Sequence, residues 1–206
     1  MRFLFCRTRL FIFLLFVILS VSGCASSKTP VTHFYILDPC DSITLPAGQM
    51  AQKSIFSIGV TSFRLPQYLE RPQIVTRSSE NKLVLAEFHQ WGGNLRKNMT
   101  RVLAKNLSQL MGTPEIFIYP DIPQSPPDFR VELTVMKFER DPDRKVRLSA
   151  QWRLFGDKDK VPLKTEITTL ESPAVTGISG MAETVKAMSR LMGELSLIIG
   201  KELLNH

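Results

Sequence analysis

The apolar positions of this chain change their period several times, and each period predicts a different element. Leu10 to Leu19 is an unbroken apolar run, too short to cross a bilayer as a helix, which takes about 20 residues. Beyond it the apolar stretches shorten. Thr32 to Leu37, rich in aromatic and β-branched residues, predicts a first strand, and Ile55 to Val60 a second, after a loop with Pro39, Pro46 and Gly48. Leu65 to Pro72 predicts a proline-bounded bend or short helical turn. Gln73 to Arg77 and Lys82 to Leu85 flank the polar turn Ser78 to Asn81 and predict a hairpin. At Asn94 the spacing becomes helical: Leu95, Met99, Val102, Leu103, Leu107 and Leu110 share a face, and Gly112 is placed to end the helix.

Ile116 to Tyr119 is a short apolar strand, and the four prolines between Pro120 and Asp128 force a loop. Strict alternation follows. Phe129, Val131, Leu133 and Val135 share one face of a strand; Val146, Leu148, Ala150, Trp152 and Leu154 share one face of the next. Asp141 to Arg144 is type I turn chemistry between them, and Leu163 to Leu170 completes an antiparallel meander with one wet face. A second helix runs from about Gly180 to Leu204, its stripe including Met181, Val185, Met188, Leu191, Met192, Leu195, Ile198 and Ile199. Buried core is the favoured reading of those methionines over a lipid-sliding surface. The expected architecture is one α/β or α+β domain: a mixed β-sheet with a C-terminal antiparallel meander and two long amphipathic helices packed on it.

Charge and cysteine change the reading of the front end. Arg2, Arg7 and Arg9 precede the apolar run, as in a secretory signal, and Val21-Ser22-Gly23-Cys24 resembles the bacterial lipobox. Cleavage before Cys24 is therefore expected, with the Cys24 thiol taking a diacylglyceryl group. Residues 1–23 are then the signal, 24–31 the lipidated cysteine and a short tether, and 32–206 the folded domain. Ala25 to Pro30 is small and polar and spans only about 20 Å when extended. Acyl chains hold such a protein because each buried methylene contributes about 0.8 kcal/mol, and two or more chains anchor it stably. Ala25 and Ser26 lack the aspartate of the familiar inner-membrane retention rule, so the expected location is the outer membrane, facing the periplasm. Losing the three signal arginines lowers the formal charge from +7 to +4. That suits anionic lipid or an acidic partner and is too weak and too evenly spread for nucleic acid. Cys6 leaves with the signal, so Cys40 is left without an internal disulfide partner, either buried or reactive, with burial favoured.

Candidate chemistry is sparse. His33, His89 and His206 have no metal-ligand spacing, so no metal site is expected. Gly177-Ile178-Ser179-Gly180 lacks one residue of a nucleophile elbow, and Ser179 fits better as a helix cap. Neither a G-x-G-x-x-G pattern nor a P-loop is present, and no cofactor and no catalytic residue are expected. Asp141 and Asp143 are read as turn formers. The sequons Asn98-Met99-Thr100 and Asn106-Leu107-Ser108 both lie on the first helix, which weakens them. Prolines 120, 123 and 126 repeat P-x-x-P, either a docking strip or, as favoured, a plain loop. Glu87-Phe88-His89-Gln90-Trp91 leaves two readings open. Phe88, His89 and Trp91 form a partner-contact patch, or Trp91 anchors the start of the helix in the core while a backbone group satisfies His89.

The order of these features, from the lipobox through His33 to Leu37, Ile58-Gly59-Val60, Tyr68 to Arg77 and Glu87 to Trp91, resembles the ABC-type transport auxiliary lipoprotein family, which includes the PqiC lipoproteins. Tyr68 to Arg77 and Trp91 carry most of the resemblance. After the tryptophan this chain has Gly92-Gly93-Asn94 where family members often have Ala-Glu-Pro-like residues. The resemblance implies a non-catalytic adaptor at the outer membrane. Its partner would be an MCE-domain protein, anchored in the inner membrane and forming a tube for lipid across the periplasm. It leaves room for a homo-oligomeric ring around that tube. The competing readings are a lipid carrier with its own apolar cavity and, least favoured, an envelope hydrolase.

Overall fold

The meander is the frame on which the rest is built. The computed structural model describes residues 30–40, 56–61, 63–121, 125–157, 160–176 and 180–206. The signal, Cys24, Pro46, Gly48, Pro123 and Gly177 to Ser179 lie outside them. Strands β6 (Phe129–Arg140), β7 (Val146–Gly156) and β8 (Lys164–Glu171) pair antiparallel in sequence order. Val131, Leu133 and Val135 are buried opposite Leu154, Trp152 and Ala150, as the alternation predicts. At Met136 the register slips: Val135 faces Ala150, but Lys137 already faces Ser149. One extra residue reverses the face of everything after it. Phe138 and Arg140 thus turn to the helix side and Glu139 to the other.

The opposite edge of β6 is shared by two groups of strands. At its start it pairs in parallel with β2 (Ile58–Val60), which pairs in turn with β5 (Ile116–Ile118). At its end Arg140 pairs with Thr76 of β3 (Gln73–Ser79), followed outward by β4 (Lys82–Trp91) and β1 (His33–Tyr35). Central β2 is buried throughout, as a strand flanked on both sides should be. A side chain at Gly59 would come within 2.8 Å of Pro127 and 2.9 Å of Tyr119, so glycine is required for close packing there. Between β2 and β3, Arg64 bridges to Thr134, and the chain makes one 3-10 turn at Gln67–Leu69.

Helix α1 (Leu95–Met111) starts on Asn94, whose side chain accepts from the Lys97 amide at 3.0 Å, an N-cap. It ends on Gly112 at φ 62°, the left-handed conformation that glycine adopts without steric cost. Helix α2 (Gly180–Leu203) packs against α1 and β6 to β8, while α1 also covers β2 and β5. Met188 and Met192 are buried, with Leu191, Leu195 and Ile199. This is a mixed sheet with two helices, as expected. The expected boundaries move mainly in the hairpin: β3 and β4 run to Ser79 and Trp91, so Glu87 to Trp91 is strand rather than a lead-in to the helix.

Candidate functional site

β4 gains a second partner in the middle of the candidate patch. Ala86 pairs with Ile74 of β3, but the next β3 position, Gln73, pairs with Gln90. Glu87, Phe88 and His89 are thus extra residues against β3, a large bulge of the kind that re-aims side chains. On the other edge of β4, His89, Gln90 and Trp91 pair in parallel with His33, Phe34 and Tyr35 of β1. Phe88 is left exposed. His89 stacks on His33, with ring centroids 5.5 Å apart, and its Nδ1 lies 2.8 Å from the Tyr35 hydroxyl. The partner of this histidine is a side-chain hydroxyl and not the backbone group expected from sequence. Trp91 is 6% exposed and belongs to the core; its amide donates to the Pro72 carbonyl at 2.7 Å. The three residues are adjacent in sequence but occupy three environments.

Trp91 also lines a cleft of about 300 Å³ with Glu70, Arg71, Pro72, Asn94 and Arg96. Arg96 pairs with Glu70 across it at 3.5 Å. The segment from Tyr68 to Arg77 and the tryptophan therefore meet in one place, although about twenty residues separate them in sequence. The two ends of that segment meet on a carboxylate. Glu139 is fully buried on the helix-free side. It accepts from the Tyr68 hydroxyl at 2.8 Å, from Arg77 Nε at 3.1 Å and Nη2 at 2.8 Å, and from the Phe138 amide at 3.0 Å. Burial first, then the bond to Glu139, push the Tyr68 phenol far above its usual range, so it stays a neutral donor. The same carboxylate raises the Arg77 guanidinium. Sequence reading missed Glu139 because the Met136 bulge hides its face; an acidic residue late in a long apolar strand was the available signal.

Beside this knot lies a more open cleft of about 390 Å³, lined by Arg77, Glu80, Lys137, Asp141, Pro142, Asp143 and Arg147. Asp141 is buried and bonds Lys137 and Arg147, both at 2.6 Å. Arg147 also donates to Asp143 and holds that exposed carboxyl down at about 2. Lys145 first, then Arg147, lower Glu171. These are ion pairs of a hairpin end, and among the described residues no group of three or more His, Cys, Asp or Glu could hold a metal ion.

The two sequon asparagines hold the chain after β1. Asn98 accepts from the Leu37 amide at 2.7 Å and donates to its carbonyl at 3.2 Å. Buried Asn106 accepts from the Cys40 amide at 3.1 Å and donates to Ser196 at 3.0 Å. Both amides are thus engaged in packing. The Cys40 thiol is half-buried, 3.9 Å from the Ser189 carbonyl.

A mixed sheet under two helices, with charged clefts and an aromatic edge, has the makings of a binding scaffold. Residues 35–200 match the family of ABC-type transport auxiliary lipoprotein components, and the chain belongs to that family. It is a family of auxiliary components of transport systems. No curated protein matches the sequence. Among the solved structures that share the fold are two crystal structures. One is an uncharacterized protein, 20% identical, covering 84% of this chain and 99% of its own with a TM-score of 0.66. The other is a Xanthomonas campestris protein, 11% identical, covering 84% and 95% with a TM-score of 0.68. No helix among the described residues is long and apolar enough to cross a membrane.

Proposed function

We propose that this chain is an outer-membrane lipoprotein, anchored through acyl chains on Cys24, and that it serves as a non-catalytic adaptor of an MCE-type intermembrane lipid transport system. Its domain docks the periplasmic tube, built by an MCE-domain protein, to the outer membrane. The family match across residues 35–200 carries this reading. Within the domain, exposed Phe88 and half-buried His89 on the β4 bulge are the proposed partner contacts, and buried Trp91 is the residue that positions them. The cleft beside Asp141 is lined mainly by charged side chains, and the one beside Trp91 mixes Glu70, Arg71 and Arg96 with Leu65, Trp91 and Leu95, a polar and aromatic mixture that suits a protein contact.

The test is in-cell crosslinking of the full-length lipidated protein, with captured envelope proteins identified by mass. Recovery of an MCE-domain protein is expected. Absence of that partner, with lipid co-purifying with the domain, would overturn the adaptor in favour of the carrier. Cys24→Ala should abolish palmitate labelling and leave a precursor; normal labelling would refute the anchor.

A further inference from the structure

Among the described residues the sheet branches at β6 and so has three edge strands, two of which are guarded differently. β8, at one end, surrounds its exposed Ile167 with Lys164, Glu166 and Glu171, and charge on an edge strand is how a sheet edge remains in water without recruiting other strands. β1, at another end, is His33-Phe34-Tyr35 followed by Ile36, with no acid or lysine among them. Phe34 is 67% exposed and Ile36 56%. Period two sets these two on one face, while Tyr35 on the other packs against the core. A three-residue strand offers too little backbone for another chain to extend the sheet. What β1 offers a partner is its side chains.

Covalent geometry says what lies within reach. From Cys24 to His33 the chain can extend no more than roughly 30 Å, so an anchored Cys24 keeps β1 closer to the bilayer than any other strand is obliged to be. A tether this short gives the strand a millimolar effective concentration at the lipid surface, and a weak contact then suffices. The residue types suit that place. Phenylalanine and isoleucine fit the boundary between headgroups and acyl chains.

We propose that the outer rim of β1, Phe34 and Ile36, is a bilayer-contacting surface that seats the domain on the membrane and fixes its orientation. This rests on the lipid anchor at Cys24. The β1 end of the sheet lies on the lipid, and the charged β8 edge points into the periplasm.

The experiment uses the full-length lipidated protein in vesicles of phosphatidylethanolamine and phosphatidylglycerol, with or without bromine on the acyl chains. Phe34→Trp and, separately, Ile36→Trp supply the reporter, and Ile167→Trp on exposed β8 supplies the control. Native Trp91 and Trp152 are buried in protein and provide a constant background. Vesicle flotation reads the anchor independently of fluorescence. The expected result is flotation of all three variants, with brominated lipid lowering the added emission of Phe34→Trp and Ile36→Trp, whose side chains would sit about 5–10 Å deep at the acyl boundary, and leaving Ile167→Trp unchanged. Flotation without quenching at either β1 position overturns the proposal while sparing the anchor. A blue-shifted but unquenched emission that reverts on dilution also overturns it, assigning the rim to a second copy of the chain. Failure to float removes the anchor itself, and the proposal falls with it.

Discussion

The knot at Glu139 and the rim at Phe34 both reverse the usual rule of polar outside and apolar inside. A carboxylate sits fully buried on the helix-free side of the sheet, while a phenyl ring on the edge is two-thirds exposed. Such reversals are the informative exceptions in a burial pattern. The difference lies in whether the molecule itself compensates them. Glu139 has four hydrogen bonds from within the chain, so its burial is complete as it stands. Phe34 and Ile36 remain largely uncovered by the chain. A compensated reversal is architecture; an uncompensated one points outward to a partner.

The largest effect should come from emptying the knot. Glu139→Ala leaves the Tyr68 hydroxyl without its acceptor and Arg77 with only the Glu80 carbonyl and Asp141, and breaking a buried pair costs up to about 3–5 kcal/mol. Glu139→Gln keeps the volume and one acceptor and should cost visibly less. Urea unfolding of both variants decides the matter; equal and small losses would mean the knot is not structural. Trp91→Ala should cost a similar amount, about 3–5 kcal/mol, because it opens a large hole in the core. Stability close to wild type with lost crosslinking would instead make Trp91 itself a contact.

A smaller effect is expected at the seam between β1 and the helices. Asn98→Ala leaves the Leu37 amide and carbonyl to find water, costing about 1–3 kcal/mol where they are screened from it. Smaller again is the acid response of the hairpin end. The Asp143 carboxyl is held at about 2 in the folded protein, below its ordinary value near 3.9. A depressed folded value means that its contribution is present above about pH 4 and is lost as pH falls toward about 2. A thermal melt series across that window should show a shallower fall for Asp143→Asn. An unchanged slope would refute the assignment.

Much of the fold was legible because the periods are clean: α1 and its Gly112 cap, the alternation of β7 and the stripe of α2 all lie where the sequence puts them. Register was not legible. The Met136 bulge reverses the β6 faces, and the bulge at Glu87 to His89 shifts the register of β4 against β3; neither slip leaves a turn residue behind to announce it. The same limit hid the site. Tyr68, Arg77 and Trp91 stood out by resemblance, but their meeting with Glu139 and Pro72 depends on pairings far apart in sequence. The sequons agree with the sequence reading that discounted them as helical, since the asparagine amides are engaged with Leu37, Cys40 and Ser196.

The smallest change in stability should accompany the most specific change in function. Phe88 projects from the β4 bulge, is 40% exposed and has no part in the ion network. Phe88→Ser should therefore move the free energy of unfolding by no more than about 0.5 kcal/mol, the usual range for a surface position. Truncating a hot-spot aromatic at an interface costs about 2 kcal/mol or more in binding, so the same variant should lose most of its in-cell crosslink to the proposed MCE-domain partner. Phe88→Tyr retains the ring and should restore capture. Full capture by Phe88→Ser would remove the bulge from the contact and leave it a feature of sheet geometry. Lost capture together with a large drop in melting temperature would make Phe88 a packing residue, contrary to its exposure. Only loss with stability intact separates the uncompensated edge from the compensated knot.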